Sequence, residues 1–258
     1  MPKIYFNGFA FYEGDVPTEK FIPYVEPRRL RRMENMAKNA LFCSFQSLEQ
    51  AHLPIAEPKM MGLSVAVGAG SLENTCKFMD SILDDGDELS SPTAFAGSVH
   101  NSTGLALSLF LQIKGPCVTT GQFEASFPAA LLSAISFLKK GCCSDVLLVV
   151  AEDVNCVARS YAPNRPNLFQ PLLRAPHGPF ERVAAAMILS IEPAGEQPFE
   201  LTRVEFLRTD QMLSSDSPLP SFVAMETVRL LQRGQAFSLK DGFAGTSFIL
   251  EAKPYVKS

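Results

Sequence analysis

The sequence GPCVTTGQFEAS, residues 115–126, decides the fold class of this chain. It predicts a short buried strand over residues 117–121 that turns sharply into an apolar helix. The first amide groups of a helix lack partners within the helix and the helix dipole is positive there, so such a turn is suited to negative charge. Enzymes that transfer acyl groups place a cysteine of low pKa at a turn of this kind. This chain places Glu124 there, and because an ionised carboxylate is a poor acyl acceptor, the sequence predicts an acyl-transfer scaffold without the covalent step.

Strands and helices alternate on both sides of this turn, and several strands are continuous apolar runs of the kind that helices cover on both faces. We therefore predict a layered α/β fold, with no internal repeat and a single domain over residues 1–258. The predicted strands are residues 4–11, 63–67, 117–121, 145–152, 184–191, 199–206 and 246–252. The predicted helices are residues 27–51, 75–83, 98–114, 126–140 and 220–233. Residues 91–93 are predicted to stop the chain, and residues 155–179 and 214–217 to form loops.

The composition excludes several classes of protein. With 23 basic against 27 acidic residues and a net charge of -4, the chain lacks the basic surface that nucleic-acid binding requires. Its six cysteines show no metal-ligand spacing and are expected as free thiols in a reducing compartment, so we expect no metal and no cofactor. The N-terminal residues resemble neither a signal peptide nor a membrane span, and the longest apolar runs are too short to cross a bilayer. We expect a cytoplasmic protein.

Several motifs occur in an order that is typical of one family. Together they resemble the β-ketoacyl synthase superfamily with the thiolase-like fold, and more narrowly its short ketosynthase-like chain-length factors of the bacterial aryl polyene type. The resemblance implies that residues 1–195 correspond to the N-terminal half of a synthase and residues 196–258 to a remnant of the C-terminal half. The motifs are PRRLRRM at 27–33, SPTAF at 91–95, SVHN at 98–101, the strand after Gly115-Pro116, DVLLVVAED at 145–153 and GFAGTS at 242–247.

The departures from this family concern its catalytic residues. In active ketosynthases the cysteine nucleophile lies eight residues after the proline of the Gly-Pro pair, and Glu124 stands at that position here. One family histidine lies in a His-Gly-Thr motif, which this chain lacks. The other precedes the last helix, where this chain has only SSDS at 214–217. The resemblance therefore implies no catalytic residue and no condensing activity for this chain on its own.

The resemblance also implies a partner. Family dimers form by antiparallel pairing of the strand just before the nucleophile, which here comprises Cys117, Val118, Thr119, Thr120 and Gly121. An exposed strand edge of this kind is an aggregation risk unless another chain covers it. The partner would be a catalytic ketosynthase, and Gln122, Phe123, Glu124 and Phe127 would lie near its acyl tunnel. An acidic acyl carrier protein would dock on Arg28, Arg29, Arg31 and Arg32, although a solvated helix face is the simpler interpretation of that cluster.

Several of these residues have a simpler structural interpretation. Glu124 either has a position-specific role, which we favour, or only stabilises the start of its helix by about 0.3–1 kcal/mol. Cys117 as a substitute nucleophile is less favoured than Cys117 as a buried structural thiol. For Phe123 and Phe127, a core role and a place on a channel wall are about equally supported.

The three histidines are assigned mainly structural roles. His100 is favoured as a structural hydrogen-bonding residue over a catalytic one. His177 is expected either at a pocket entrance, as the family implies, or in a solvated loop. His52 is expected at the surface or at a helix cap.

Three functions follow from these observations. The first is a non-catalytic chain-length factor that pairs with a ketosynthase for decarboxylative condensation of malonyl units on acyl carrier protein. The second is a malonyl decarboxylase or initiation subunit that uses Glu124 and the helix-start amides, although no residue for stabilising the enolate is evident. The third is a partner that only stabilises the ketosynthase.

Overall fold

The computed structural model describes residues 2–31, 33–55, 60–68, 70–153, 182–208, 220–243 and 246–256. These residues form one eight-stranded sheet with the strand order β3-β2-β4-β5-β1-β6-β8-β7. The strands are β1 (Tyr5–Glu13), β2 (Gly62–Val67), β3 (Cys117–Gly121), β4 (Asp145–Asp153), β5 (Arg182–Ser190), β6 (Phe199–Arg208), β7 (Phe237–Phe243) and β8 (Thr246–Pro254).

The α-helices in the described part cover the sheet and connect its strands. They are α1 (Asn35–Gln50), α2 (Leu72–Asp85), α3 (Pro92–Ser98), α4 (Ser102–Phe110), α5 (Ser126–Lys139) and α6 (Pro220–Gln232). Short 3-10 turns occur at Pro27–Leu30 and Phe123–Ala125, among others. Within the described ranges, no helix is long and apolar enough to cross a membrane.

The centre of the sheet is buried on both faces. Strand β2 pairs in parallel with β3 and β4, whereas β5 pairs antiparallel with β4 and β1. Every residue of β2 is buried, as are the residues of β4 and β5 after the first. Two-sided burial explains why these strands are continuous apolar runs in the sequence rather than alternating ones.

Two clusters of apolar side chains make the core. On one face, α1 and α4 pack against alternate residues of β2, β4 and β5. On the other face, α5 and α6 pack against the intervening residues of the same strands, and β6 and β8 join this second cluster. The rings of Phe127 on α5 and Phe248 on β8 meet edge to face with centroids 6.2 Å apart. Helices α5 and α6 therefore form a layer between the central strands and the C-terminal strands.

The C-terminal strands have one apolar and one polar face. Val204 and Phe206 of β6 pack against the second core cluster. Their neighbour Arg203 pairs instead with Glu205 at 2.6 Å and with Glu251 of β8 at 3.4 Å. This alternation is typical of an antiparallel sheet with one face in solvent.

The structure confirms the layered α/β fold and corrects three local predictions. Residues 27–51 do not form one helix, because the chain makes a 3-10 turn at Pro27–Leu30 and is extended at Glu34 before α1 begins. Of the helix predicted over residues 98–114, only α4 (Ser102–Phe110) forms, because the chain is extended at Val99, directly after the end of α3. Ser91 does not stop the chain, since its hydroxyl accepts a hydrogen bond from the Ala94 amide at 3.2 Å and caps α3. The loops predicted at 155–179 and 214–217 lie outside the described residues.

Candidate functional site

The candidate site is the turn between β3 and α5. Ser126 fixes this turn, because its hydroxyl accepts a hydrogen bond from the Gln122 amide at 2.7 Å and donates one to the Val67 carbonyl at 2.9 Å. The latter contact ties the start of α5 to the end of β2. Phe123 lies in the left-handed region with φ of 49°, which side chains other than glycine rarely adopt. The chain therefore holds a strained backbone one residue before Glu124.

The predicted site residues of this turn differ in exposure. Gln122 is exposed, and Phe123 keeps 52% of its surface accessible. Phe127 is completely buried, and its contact with Phe248 places it in the core of this subunit. The backbone of Glu124 lies in the 3-10 turn Phe123–Ala125, while its side chain lies outside the described part. The N-cap residue of α5 is Ala125, whose own side chain makes no capping hydrogen bond.

His100 lies beside this turn, which the sequence analysis did not predict. A Cβ added at Gly121, the last residue of β3, would lie 2.9 Å from Cδ2 of His100. A Cβ added at Gly70, after β2, would lie 2.9 Å from the same atom, and Gly70 has φ of +69°. The two glycines therefore leave the space in which the exposed imidazole sits.

Cys117 lies at the far end of β3 from this turn. The strand spans about 13 Å at about 3.3 Å per residue. Partial burial raises the pKa of the Cys117 thiol, which makes the thiolate scarcer at neutral pH. Both observations argue against Cys117 as a substitute nucleophile. The prediction of a buried thiol is wrong, however, because the residue as a whole is exposed. In the described part of the chain, no group of histidine, cysteine, aspartate and glutamate residues could hold a metal ion.

Among the strands of the described residues, β3 lies at one edge of the sheet and pairs with β2 only. The Leu63 amide of β2 donates to the Pro116 carbonyl at 2.8 Å. Because successive residues of a strand point their backbone polar groups to opposite sides, Cys117, Thr119 and Gly121 direct theirs away from β2. The sheet therefore ends in a row of backbone donors and acceptors that another strand could use.

Many large apolar side chains are exposed in the segment of the chain that leads to this edge. We call the segment from α2 to the β3–α5 turn, residues 72–123, the cap segment. It carries more than half of the large exposed apolar residues found in the described part, namely Met79, Leu83, Leu89, Phe95, Val99, Leu105, Leu109 and Phe123. Exposed apolar surface on this scale marks an interaction site in soluble proteins.

The cap segment also borders an open groove of about 820 Å³. Its apolar lining includes Met33, Ala37, Leu105, Ala106, Leu109 and Phe110. The guanidinium of Arg29 lies over the Phe110 ring, 5.0 Å from its centroid, and lines the same groove. This size is within the range of pockets that bind small molecules.

The sequence predicted that the arginine cluster lies on one helix face, and the structure does not form that face. Arg28 pairs with Glu26 at 2.6 Å, whereas Arg29 covers the groove. Arg31 is exposed just after the 3-10 turn, and Arg32 lies outside the described residues. His177 also lies outside them, and His52 is exposed after α1, with φ of 56°.

Comparison with known families agrees with this geometry. The family profile "Beta-ketoacyl synthase, N-terminal domain" matches residues 12–240, which includes the turn and most of the sheet. The chain belongs to the β-ketoacyl synthase family. No curated protein matches the sequence of this ketosynthase-family chain.

Solved structures share the fold at low sequence identity. The ketosynthase ApeO in complex with its chain length factor ApeC from Xenorhabdus doucetiae is similar with a TM-score of 0.64 and 15% identity, covering 97% of this chain and 99% of that one. The ishigamide ketosynthase/chain length factor has a TM-score of 0.72 at 12% identity, with 98% and 99% coverage. The AntDE:AntF complex has a TM-score of 0.77 at 10% identity, with 98% and 99% coverage. These likenesses confirm the predicted thiolase-like fold.

Proposed function

We propose that this chain is the non-catalytic chain-length-factor subunit of a heterodimer with a catalytic ketosynthase. The observation that carries the proposal is that Glu124 lies eight residues after Pro116, on the turn between β3 and α5. By the family resemblance, this is the position of the nucleophile in active ketosynthases. A carboxylate there cannot accept an acyl group as a thiolate does. The thiol at Cys117 does not replace it, because Cys117 lies at the other end of the strand and partial burial raises its pKa.

The open edge of β3 and the apolar cap segment support the heterodimer. We propose that a strand of the ketosynthase adds to the edge formed by Cys117, Val118, Thr119, Thr120 and Gly121. The exposed residues of the cap segment would be covered in the same interface, which we expect to bury more than about 2,000 Å². The similar structure from Xenorhabdus doucetiae contains a ketosynthase in complex with its chain length factor, which is the assembly proposed here.

The chemistry would occur on the partner. Its cysteine would carry the growing acyl chain, and malonyl on acyl carrier protein would lose carbon dioxide to give a carbanion. The carbanion would attack the acyl carbonyl, forming a carbon–carbon bond and releasing the cysteine thiolate. Gln122, Phe123 and Glu124 of this chain would close the far end of the acyl tunnel, with Phe127 supporting them from the core.

We further propose that acyl carrier protein approaches the side of this subunit that carries Arg28, Arg29, Arg31 and Arg32. The AntDE:AntF structure contains an acyl-carrier protein in complex with its ketosynthase. Attraction between this basic turn and an acidic carrier would mainly raise the rate of encounter. The family resemblance favours polyene, polyketide or fatty-acid-like products, the aryl polyene type in particular, and a cytoplasmic location.

His100 favours one alternative function, a malonyl decarboxylase. Its exposed imidazole lies against Gly121 at the turn and could donate a hydrogen bond to the enolate formed as carbon dioxide leaves. The enolate would then take a proton to give acetyl on acyl carrier protein. In this case the chain alone should release carbon dioxide from malonyl carrier protein, His100→Phe should abolish the release, and Cys117→Ser should not.

The proposed function is tested by incubating the purified chain with acyl and malonyl acyl carrier protein and measuring its intact mass. We expect an unmodified chain and no condensation product, while an active ketosynthase acylates under the same conditions. A covalent acyl adduct on Cys117 or another residue would contradict the proposal. Carbon dioxide release without an adduct would favour the decarboxylase.

A further inference from the structure

Arg182 joins three carboxylates that come from different parts of the fold. Its guanidinium is mostly buried at the start of β5 and donates to Asp153, the last residue of β4, at 3.2 Å. It also donates to Asp15, which follows β1, at 2.5 Å. A third, longer ion pair of 3.6 Å reaches Glu73 in the first turn of α2. The helix is thus tied to the sheet through one cation.

The carboxylates around Arg182 stabilise its positive charge. Burial by itself lowers the pKa of Arg182, but the hydrogen bond to Asp15 and the charges of Asp153 and Glu73 outweigh burial and hold that pKa above its ordinary value. Among the described residues, Lys77 is the other cation in this group and pairs with Glu73 at 2.6 Å. Without Arg182, three carboxylates would face one another with a single exposed lysine among them, which would push α2 away from the sheet.

Other contacts at the root of α2 are also polar. Asn74 donates a hydrogen bond to Glu34, which precedes α1, and the hydroxyls of Ser71 and Ser102 lie 3.1 Å apart. Burial raises the pKa of Glu34, and the hydrogen bond from Asn74 offsets part of that rise. A cavity of about 170 Å³ lies among these groups and Arg182. The base of α2 therefore rests on the body of the protein through hydrogen bonds and ion pairs.

Helices α2 and α3 pack on each other with apolar side chains. The rings of Phe78 and Phe95 are 5.1 Å apart, whereas Met79, Leu83 and Leu89 stay exposed. We call residues 72–98 the helical hairpin. A segment with its own apolar packing and a polar base has the features of a unit that opens as a whole below the free energy of global unfolding.

We propose that Arg182 is the latch that fixes the helical hairpin to the sheet, so that breaking its ion pair with Glu73 lets residues 72–98 open together. This latch is independent of the proposed function, because it depends only on contacts within this chain. It would set how often the exposed apolar residues of the hairpin move away from the body. Arg182 is thus a positioning residue for one wall of the groove.

Hydrogen exchange with mass spectrometry tests the latch at one fixed pH on the full chain. Glu73→Gln removes the contact of the hairpin with Arg182 and leaves the Asp153 and Asp15 contacts in place. We expect peptides from both α2 and α3 to exchange about threefold faster or more, while peptides from β4 and β5 do not change. Arg182→Gln should give a larger effect on the same peptides.

Two variants serve as controls. Lys77→Gln removes the other partner of Glu73, and Glu88→Gln removes an exposed charge from the same hairpin. We expect both to exchange like the wild type in residues 72–98. The latch is refuted if Glu73→Gln leaves the hairpin unchanged, if only the first turn of α2 exchanges faster, or if Lys77→Gln has the same effect. Glu73→Gln leaves the buried ion pair between Arg182 and Asp153 intact. The test therefore remains valid even if Arg182→Gln fails to fold.

Discussion

Phe123 and Phe127 lie four residues apart at the turn, yet the structure separates them. Phe127 is completely buried against Phe248, and Phe123 is half exposed on a strained backbone. Sequence alone supported core and channel-wall roles equally for both residues. Burial supports the core role for Phe127 and leaves Phe123 as the better candidate for contact with an acyl chain.

Alanine substitutions should separate these two roles. Phe127→Ala should lower the free energy of unfolding by about 3–5 kcal/mol because it opens a cavity in the core. Phe123→Ala should change it by less than about 0.5 kcal/mol. In the complex with a ketosynthase, Phe123→Ala should lengthen the product, since each additional buried CH₂ of the chain gains about 0.8 kcal/mol.

The measurements are a melting curve for each variant and mass spectrometry of the products. If Phe123→Ala leaves the product length unchanged, Phe123 does not line the acyl tunnel. A Phe127→Ala variant as stable as the wild type would show that the Phe127 ring is not part of the core.

Asp153 makes the stability of the protein depend on pH. Burial raises the pKa of Asp153 from an ordinary value of 3.8 to about 6. The positive charge of Arg182 lowers this pKa in part, whereas the negative charges of Glu73 and Asp15 raise it. The folded chain therefore binds the proton of Asp153 more tightly than the unfolded chain does. The contribution of Asp153 to stability is complete below about pH 4 and is lost as the pH rises through about 6.

Asp153→Asn removes this titration. Between pH 4.5 and 7, the wild type should lose about 1–3 kcal/mol of unfolding free energy relative to the variant, at 1.36 kcal/mol per pKa unit. Urea unfolding at several pH values measures the difference, with the exposed Asp80→Asn as a control. Parallel pH profiles for wild type and Asp153→Asn, or a difference of the opposite sign, would show that the Asp153 carboxyl is not held protonated by the fold.

At the scale of elements, the strands of the core could be predicted from the sequence. Strand β3, helix α5 and strand β4 lie where expected, because the Gly, Pro and Lys residues around them leave little choice of boundary. The prediction that β3 is buried is wrong, since its residues are exposed or half-buried. Strand β7, by contrast, was missed. Ser238 and Lys240 are exposed and Asp241 is half-buried, so Phe237–Phe243 lacks a continuous apolar run.

The candidate site was only partly predictable for a similar reason. The turn at Glu124 follows from a local sequence pattern. The position of His100 depends on residues 70, 100 and 121 coming together in the fold, and only the two glycines hint at the space it needs. The start of α3 also escaped prediction, since Ser91 and Pro92 begin a helix as readily as they end one.

We expect the cap segment, which includes β3, to form one continuous interface with the ketosynthase. Leu109→Glu places a charge on α4 at a side chain that is 68% exposed, so the isolated chain should keep its melting temperature. Affinity for the ketosynthase should fall at least about tenfold, because the charge would be buried in the interface. Leu207→Glu on β6 is the matched control, with 47% exposure outside the cap segment.

Binding measured by biolayer interferometry distinguishes the outcomes. The interface assignment predicts a large loss for Leu109→Glu and wild-type affinity for Leu207→Glu. Equal affinities for the two variants would place the contact surface elsewhere on the molecule.

At the scale of the whole molecule, the sheet has two different ends. Its C-terminal strands turn an ion-paired face to solvent, with Arg203 between Glu205 and Glu251. Its other end presents the open edge of β3 beside the exposed residues of the cap segment. A chain with such an asymmetric surface is expected to bind a partner at the apolar end.

Native mass spectrometry of this chain co-expressed with a ketosynthase from a neighbouring gene tests that account most directly. The complex should contain one copy of each subunit and, after incubation with acyl carrier protein thioester, carry the acyl group on the ketosynthase alone. A monomer indifferent to the ketosynthase, or an acyl group found on this chain, would contradict the account.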